Sequence, residues 1–153
     1  QALCKAQGVP VLLHALPGRN DTVRLGLSAL LAQHPELTGC MFLPGDQPLL
    51  RRATVDQLLT AFAQTQKETE RVIFRLGAPA GNGPDPLVGS PVLFSNGFFP
   101  ELLTLPEGKG GSVLLHKYPT LVHTACIAQP EELADTDTPA ALAQLEALVR
   151  EKG

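Results

Sequence analysis

The sequence has few cysteines and no long apolar run. Its three cysteines are an odd number and form no Cys-x-x-Cys pair, which argues against both a disulfide framework and a structural zinc site. The apolar runs fall far short of the ~20 residues that a membrane-spanning helix needs, and no charged-then-apolar leader opens the chain. We therefore expect no membrane partner and a cytoplasmic location.

A block of basic residues is also missing. Twelve Lys and Arg residues stand against 15 Asp and Glu residues, giving a net charge of −3, so no run of nucleic-acid phosphates would be neutralised. We expect no nucleic-acid partner. The content of 44% hydrophobic and 18% charged residues excludes a disordered chain, and the length predicts a single domain over residues 1–153.

Short apolar runs alternate with segments of helical spacing in the first half of the chain. The apolar runs predict strands at residues 9–14, 40–43, 71–76, 91–94 and 121–127. The periodic segments predict helices at residues 22–34, 54–66, 98–105, 112–118 and 139–152. This order predicts an α/β fold with a mostly parallel sheet flanked by helices.

Local residue patterns predict how these elements begin and where they are interrupted. Asp21 is placed to cap the first predicted helix, Thr54 and Gln57 match a capping box, and Thr138 before a proline can cap the last helix. The Gly- and Pro-rich residues 77–89 predict an exposed loop.

Ligands of open α/β sheets bind beyond the carboxyl ends of the strands, which directs attention to the turns after Leu13, Leu43 and Leu76. In the second of these turns, Asp46 is held between a glycine and the Gln-Pro pair. A lone carboxylate there suits Mg²⁺, which takes one or two carboxylates and leaves its other positions to water and phosphate oxygens. The alternative is a plain turn in which the Asp46 side chain bonds backbone amides.

A second acidic point contains Asp135 and Asp137, two residues apart and just before the last predicted helix. In an extended backbone the two side chains face opposite ways, so at most one readily reaches a shared metal. The alternative is that these residues serve as an N-cap.

Three segments, taken in order, resemble the molybdenum cofactor cytidylyltransferase family, which belongs to the wider MobA-like nucleotidyltransferases. They are Gly-Asp-Gln-Pro-Leu-Leu at 45–50, Gly-Ser-Pro-Val-Leu-Phe at 89–94 and Asp-Thr-Asp-Thr-Pro at 135–139. The resemblance implies a Rossmann-like nucleotidyltransferase fold. It also implies transfer of CMP from CTP to molybdopterin bearing molybdenum, with release of pyrophosphate, and a molybdenum hydroxylase as a further partner.

The resemblance also implies roles for residues of these segments. Asp46 matches the family's Mg²⁺-binding and catalytic aspartate, and Asp135 and Asp137 match a segment that approaches the same metal. The segment beside the pterin corresponds to Gly89, Ser90 and Pro91.

A further stretch, residues 19–27, resembles the part that related cytidylyltransferases place near the nucleotide base. This makes Thr22 a hydroxyl contact for the nucleotide, and Arg19 and Arg24 neighbours of its phosphates or base. Arginines on a helix surface are also commonly solvated. Lys109 lies in a glycine-rich turn that could bring backbone amides near a phosphate, or could be an ordinary exposed loop.

The sequence departs from the family in one respect. The glycine-rich loop expected upstream, Leu-Ala-Ala-Gly-x-Ser-x-Arg-Met-Gly, does not occur in it. We therefore expect an N-terminally incomplete domain that alone binds nucleotide poorly or does not turn over. Two alternatives stay open: a non-catalytic module that binds and delivers the pterin cofactor, and a GTP-dependent guanylyltransferase of the same class.

Overall fold

The computed structural model describes residues 2–79 and 86–152. These residues form two compact units, one made of residues up to 38 with residues 98–119, the other of residues 39–97 with residues from 120 onward. The single-domain expectation stays a prediction. No helix in the described ranges is long and apolar enough to cross a membrane.

The second unit contains a four-stranded sheet. Its strands are β1 (Gly39–Phe42), β2 (Ile73–Ala78), β3 (Leu87–Ser95) and β4 (Val122–Cys126). They lie in the order β1-β3-β2-β4. Strand β2 pairs in parallel with β4, whereas β3 is antiparallel to both of its neighbours.

The predicted α/β fold, with a sheet flanked by helices, is confirmed. Three of the four strands, β1, β2 and β4, run in the same direction, as a mostly parallel sheet requires. The reversed strand β3 lies between β1 and β2, so two of the three pairings in the sheet are antiparallel. The sequence did not predict this insertion because a short apolar run carries no information about strand direction.

The described residues of the two units form six α-helices: α1 (Ala2–Ala6), α2 (Arg19–Gln33), α3 (Arg52–Thr65), α4 (Phe99–Leu103), α5 (Ser112–Lys117) and α6 (Pro139–Lys152). Short 3₁₀ helices occur at Asn96–Phe98, Pro119–Leu121 and Pro130–Leu133. The predicted helices therefore form, with shifted ends. Helix α2 begins three residues before the predicted start, and residues 96–98 wind as a 3₁₀ turn before α4.

The core of the sheet unit lies between β2, β3 and helix α3. Its buried side chains are Leu58, Phe62, Val72, Phe74, Leu76, Ala78, Leu93 and Ile127. The rings of Phe62 and Phe74 meet edge to face at 6.2 Å, a geometry that aromatic pairs favour. Because nearly every side chain of β2 is buried, the strand is apolar throughout rather than alternating.

The strand predicted at residues 9–14 is wrong. These residues form no strand, and the apolar side chains of Val9, Val11, Leu12 and Leu13 are between 45% and 67% exposed. A strand needs a neighbour to satisfy its backbone groups, and none of the four described strands pairs with this segment. The turn after Leu13 therefore does not follow a strand.

Two further boundaries are corrected. Strand β2 continues past Leu76 to Ala78, so no turn follows Leu76. The predicted loop at 77–89 begins and ends in strands, since residues 77–78 belong to β2 and residues 87–89 to β3. Its centre, residues 80–85, lies outside the described residues.

Two of the three predicted helix caps are also corrected. Gly18, not Asp21, precedes α2, and Asp21 lies in its first turn, where it pairs with Arg24 at 3.0 Å. No side-chain cap is formed at α3, because the Thr54 hydroxyl donates to the Glu132 carboxylate instead. The cap of α6 is confirmed, with the Thr138 hydroxyl accepting from the Ala141 amide at 3.1 Å.

Candidate active site at the carboxyl end of β1

Asp46 follows the carboxyl end of β1, which ends at Phe42. Its main-chain carbonyl accepts two hydrogen bonds from Thr136, one from the amide at 3.0 Å and one from the hydroxyl at 3.2 Å. The half-buried carboxylate itself makes no hydrogen bond or ion pair with any described residue. The described residues therefore do not show the plain turn, in which the Asp46 carboxylate would bond backbone amides.

The bonds from Thr136 bring the segment 135–137 alongside the Asp46 turn. Asp135 and Asp137 are both exposed, and neither caps α6, since Thr138 does so. The carboxylate of Asp135 also has no hydrogen-bond or ion-pair partner among the described residues. The two acidic points predicted from the sequence therefore lie on adjoining loops.

Ser90 and Pro91 form a bulge in β3 beside this turn. Arg75 of β2 pairs with Val92, but the next residue, Leu76, pairs with Gly89, so two residues of β3 have no partner on β2. A bulge suits proline, which has no amide hydrogen to donate to the ladder. The last residue of β1, Phe42, also pairs with Val92, so β1 leaves the sheet next to the bulge.

The last residue of the 3₁₀ helix Pro130–Leu133 lies near both β3 and the Asp46 turn. A Cβ atom at Gly89 would lie 3.5 Å from Cδ2 of Leu133, and the Gln47 side-chain amide donates to the Leu133 carbonyl at 3.4 Å. Gly89 is thus packed against a segment that also contacts the turn of Asp46.

Glu132, in the same 3₁₀ helix, is a buried carboxylate with only 1% of its surface exposed. Its oxygens accept hydrogen bonds from the Arg51 amide at 3.1 Å, from Nε at 2.9 Å and Nη2 of the Arg51 guanidinium, and from the Thr54 hydroxyl. Burial alone would raise the pKa of Glu132, but the hydrogen bonds from Arg51 and Thr54, together with the Arg51 charge, lower it below its ordinary value.

No group of three or more His, Cys, Asp or Glu side chains close enough to hold a metal occurs within residues 2–79 and 86–152. Three carboxylates are not required for Mg²⁺, which is commonly bound by one or two together with substrate phosphates. The donors present are carboxylate oxygens, and those of Asp46 and Asp135 have no hydrogen-bond or ion-pair partner within residues 2–79 and 86–152. Their chemistry fits a hard divalent cation.

The residues predicted at the nucleotide belong to the other unit. Thr22, which is exposed, shares a hydrogen bond of 3.1 Å between its hydroxyl and Nε2 of His14. Arg24 is paired with Asp21. Arg19 is the first residue of α2, is exposed, and has no ion-pair partner in the described residues.

The glycine-rich turn around Lys109 packs against the beginning of α2. The Gly108 amide donates to Oδ1 of Asn20 at 3.0 Å, and a Cβ atom at Gly110 would lie 4.0 Å from Cβ of Arg19. Gly108 has a φ of +69°, a conformation that glycine adopts without strain. The turn therefore places the exposed side chain of Lys109 in the same unit as Arg19.

Sequence reasoning missed Thr136, Gln47 and the pair formed by Arg51 and Glu132. Glu132 and Arg51 are 81 residues apart, and no local pattern links positions so distant. The only signal available was the Thr54 capping pattern, and it pointed to the wrong partner for the hydroxyl.

The model of the MobA-like NTP transferase domain matches residues 1–124. The chain belongs to this family. The matched part includes Asp46, Thr22 and the β3 bulge, and ends before Asp135. Membership of the family gives nucleotidyl transfer as the general class of function. None of the curated proteins matches the sequence.

Solved structures share this fold. Rv0371c from Mycobacterium tuberculosis H37Rv is similar with a TM-score of 0.72 and 24% identity, covering 94% of this chain and 70% of its own. Rv0371c in complex with manganese gives 0.63 and 22%, with coverage of 94% and 73%. CMP:2-keto-3-deoxy-manno-octonic acid synthetase complexed with CTP gives 0.67 and 15%, with coverage of 99% and 77%. At these identities the likeness shows the fold alone.

Proposed function

We propose that this chain serves magnesium-dependent transfer of CMP from CTP to molybdopterin bearing molybdenum, with release of pyrophosphate, in the maturation of a cofactor for a molybdenum hydroxylase. Family membership supplies the nucleotidyl-transfer class. The finer assignment depends on the three motifs that resemble the molybdenum cofactor cytidylyltransferases. A fold neighbour complexed with CTP is consistent with cytidine as the base.

The observation that carries the proposal is the pairing of Asp46 with Thr136. These bonds use only the carbonyl of Asp46 and leave its carboxylate without a protein partner in the described residues. A half-buried carboxylate without a partner loses hydration and gains nothing in return, unless a cation or a donor from a ligand occupies the position. Two motifs far apart in the sequence would therefore supply acidic oxygens to one cation.

Asp46 would be the principal ligand of Mg²⁺, with Asp135 or Asp137 as the second carboxylate. When bound, the ion supplies positive charge that offsets the negative charge developing on the phosphates. The manganese complex of the fold neighbour Rv0371c supports a divalent cation in this fold.

The remaining groups would bind and orient the substrates. In the reaction, a terminal phosphate oxygen of the pterin attacks the α-phosphorus of CTP, a new P–O–P linkage forms, and the bond to pyrophosphate breaks. Arg19 and Arg24 would stabilise phosphate charge, and Thr22 would contact the nucleotide through its hydroxyl. Gly89, Ser90 and Pro91 would contact the pterin, with Ser90 and Pro91 free of pairing to β2. Positioning and electrostatics account for most catalysis of this type.

Calorimetric titration with CTP in the presence of Mg²⁺ tests the proposal, using the wild-type chain, Asp46→Ala and Asp56→Ala. Asp56 is a suitable control because it lies on the exposed surface of α3, where it pairs with Arg52. We expect weak, Mg²⁺-dependent CTP binding in wild type and Asp56→Ala, because the sequence has no glycine-rich triphosphate loop, and loss of this binding in Asp46→Ala. CTP binding that is equal in all three proteins, with and without Mg²⁺, would refute the metal assignment.

Parallel titrations with GTP and with molybdopterin separate the alternatives. Tighter binding of GTP than of CTP would indicate the guanylyl transferase. Binding of the pterin, with no detectable binding of CTP or GTP, would indicate a delivery module rather than an enzyme.

A further inference from the structure

Three contacts join the segment 132–136 to residues 46–54, which run from the turn after β1 into the first turn of α3. Glu132 contacts Arg51 and Thr54, the Leu133 carbonyl accepts from Gln47, and Thr136 donates to Asp46. The residue numbers rise along one segment as they fall along the other, so the two segments run antiparallel.

The three contacts differ greatly in strength. The bond from Gln47 is long, at 3.4 Å, and the bonds from Thr136 are ordinary neutral ones. At Glu132, a buried carboxylate accepts four hydrogen bonds, two of them from one guanidinium. Charge-assisted bonds of this kind are about twice as strong as neutral ones and fix direction as well as distance. The contact of Glu132 is therefore the strongest of the three.

The hydrogen bonds of Glu132 fix the position of this side chain more closely than the stability of the fold requires. Burying the Glu132 carboxylate carries a desolvation cost that an apolar side chain of similar volume would avoid, whereas the Arg51 side chain that pairs with it stays 50% exposed. Apolar contacts do not fix direction, whereas the Arg51 guanidinium and the Thr54 hydroxyl can both donate to the Glu132 carboxylate only when it lies in one position. Glu132 lies three residues before Asp135, and Arg51 lies five residues after Asp46.

We propose that Glu132 is a positioning residue that sets the spacing between the carboxylates of Asp46 and of the 135–137 segment, and so determines the affinity for the divalent cation. The inference depends on the proposed metal function of Asp46. Glu132 does not touch the cation, because its oxygens are occupied by Arg51 and Thr54. It acts through the loop that carries Asp135.

Titration of the full chain with Mn²⁺ alone tests the positioning role of Glu132. Binding is measured as the loss of the electron paramagnetic resonance signal of free Mn²⁺. The variants are Glu132→Gln, Thr54→Val and Asp46→Ala. Glu101→Gln is the matched control, since Glu101 also accepts from a lysine and a tyrosine, Lys117 and Tyr118, but in the other unit.

We expect Glu132→Gln to raise the Mn²⁺ dissociation constant by about 10-fold, the lower end of the effect of removing an outer-shell partner. Thr54→Val, which removes one of the four bonds and keeps the side-chain shape, should raise it by a smaller factor. Glu101→Gln should leave it unchanged. All titrations are made well below the unfolding midpoint of each variant, determined by circular dichroism, so that a general loss of stability does not alter the dissociation constant.

The outcomes distinguish the positioning role of Glu132 from the proposed metal function of Asp46. An unchanged dissociation constant in folded Glu132→Gln, with binding lost in Asp46→Ala, overturns the positioning role alone. Should Glu132→Gln fail to fold, Thr54→Val decides in the same way. Mn²⁺ binding that survives in Asp46→Ala, or is absent from wild type, overturns the proposed metal function and the inference with it.

Discussion

Thr136 donates hydrogen bonds from both its amide and its hydroxyl to the carbonyl oxygen of Asp46, 90 residues earlier in the chain. This double contact brings together two loops that each carry acidic side chains. It also leaves the carboxylate of Asp46 without a partner in the described residues. The main chain holds the loops together, while the carboxylates of Asp46 and Asp135 make no hydrogen bond or ion pair with any described residue.

Replacing Thr136 by valine removes the hydroxyl bond and keeps the amide bond. We expect the free energy of unfolding to fall by about 0.5–1.5 kcal/mol, together with weaker Mn²⁺ binding because the loops separate more easily. Urea denaturation and Mn²⁺ titration measure the two effects. The control is Thr104→Val, which removes a local bond from the Thr104 hydroxyl to the Pro100 carbonyl. Equal Mn²⁺ affinity in both variants would contradict the prediction.

Glu132 makes the stability of the chain depend on pH. Since folding lowers its pKa, the unfolded state binds this proton more readily than the folded state. The stabilisation is therefore complete above the ordinary pKa of 4.5 and is lost as the pH falls through the lower pKa of the folded state. At pH 7, we expect Glu132→Gln to cost about 1–3 kcal/mol, through bond donors left unpaired.

Urea denaturation of wild type and Glu132→Gln between pH 7 and pH 3 measures this effect. The difference in free energy of unfolding between the two proteins should shrink as the pH falls. A difference that stays constant over this range would show that the ionised carboxylate is not what stabilises the fold.

Two glycines should respond oppositely to substitution by alanine. At Gly77 in β2, a Cβ atom would clash with Cγ2 of Thr124 on β4 and lie 3.2 Å from the Leu87 carbonyl, so Gly77→Ala should cost about 1–3 kcal/mol. At Gly26 in α2 a Cβ atom meets nothing within 4 Å, so Gly26→Ala should stabilise the helix by about 0.5–1 kcal/mol. Thermal unfolding of both variants checks this, and a destabilised Gly26→Ala would contradict it.

A bound divalent cation should stabilise the folded chain. At a Mn²⁺ concentration 100 times the dissociation constant, the free energy of unfolding should rise by about 2.7 kcal/mol. Thermal unfolding with Mn²⁺ and with excess chelator measures the rise, which should be absent in Asp46→Ala. The same rise in Asp46→Ala would place the cation elsewhere on the chain.

Much of the fold could be predicted from local patterns. The apolar run at 40–43 and the periodic segment at 54–66 correctly predicted β1 and α3, because Met41 of β1 and Leu58 and Phe62 of α3 pack in one core. The run at 9–14 looked the same in the sequence but has no neighbouring strand. Periodicity records which side chains are apolar and does not record whether a partner exists.

The sequence by itself determined the class of the fold, the position of Asp46 after a strand and the cap of α6, because each of these depends on residues within a few positions of one another. Only the tertiary structure decided the antiparallel insertion of β3, the pairing of Thr136 with Asp46 and the burial of Glu132 against Arg51. These contacts join residues that are far apart in the chain, and their free energy exists only once the loops between them have closed.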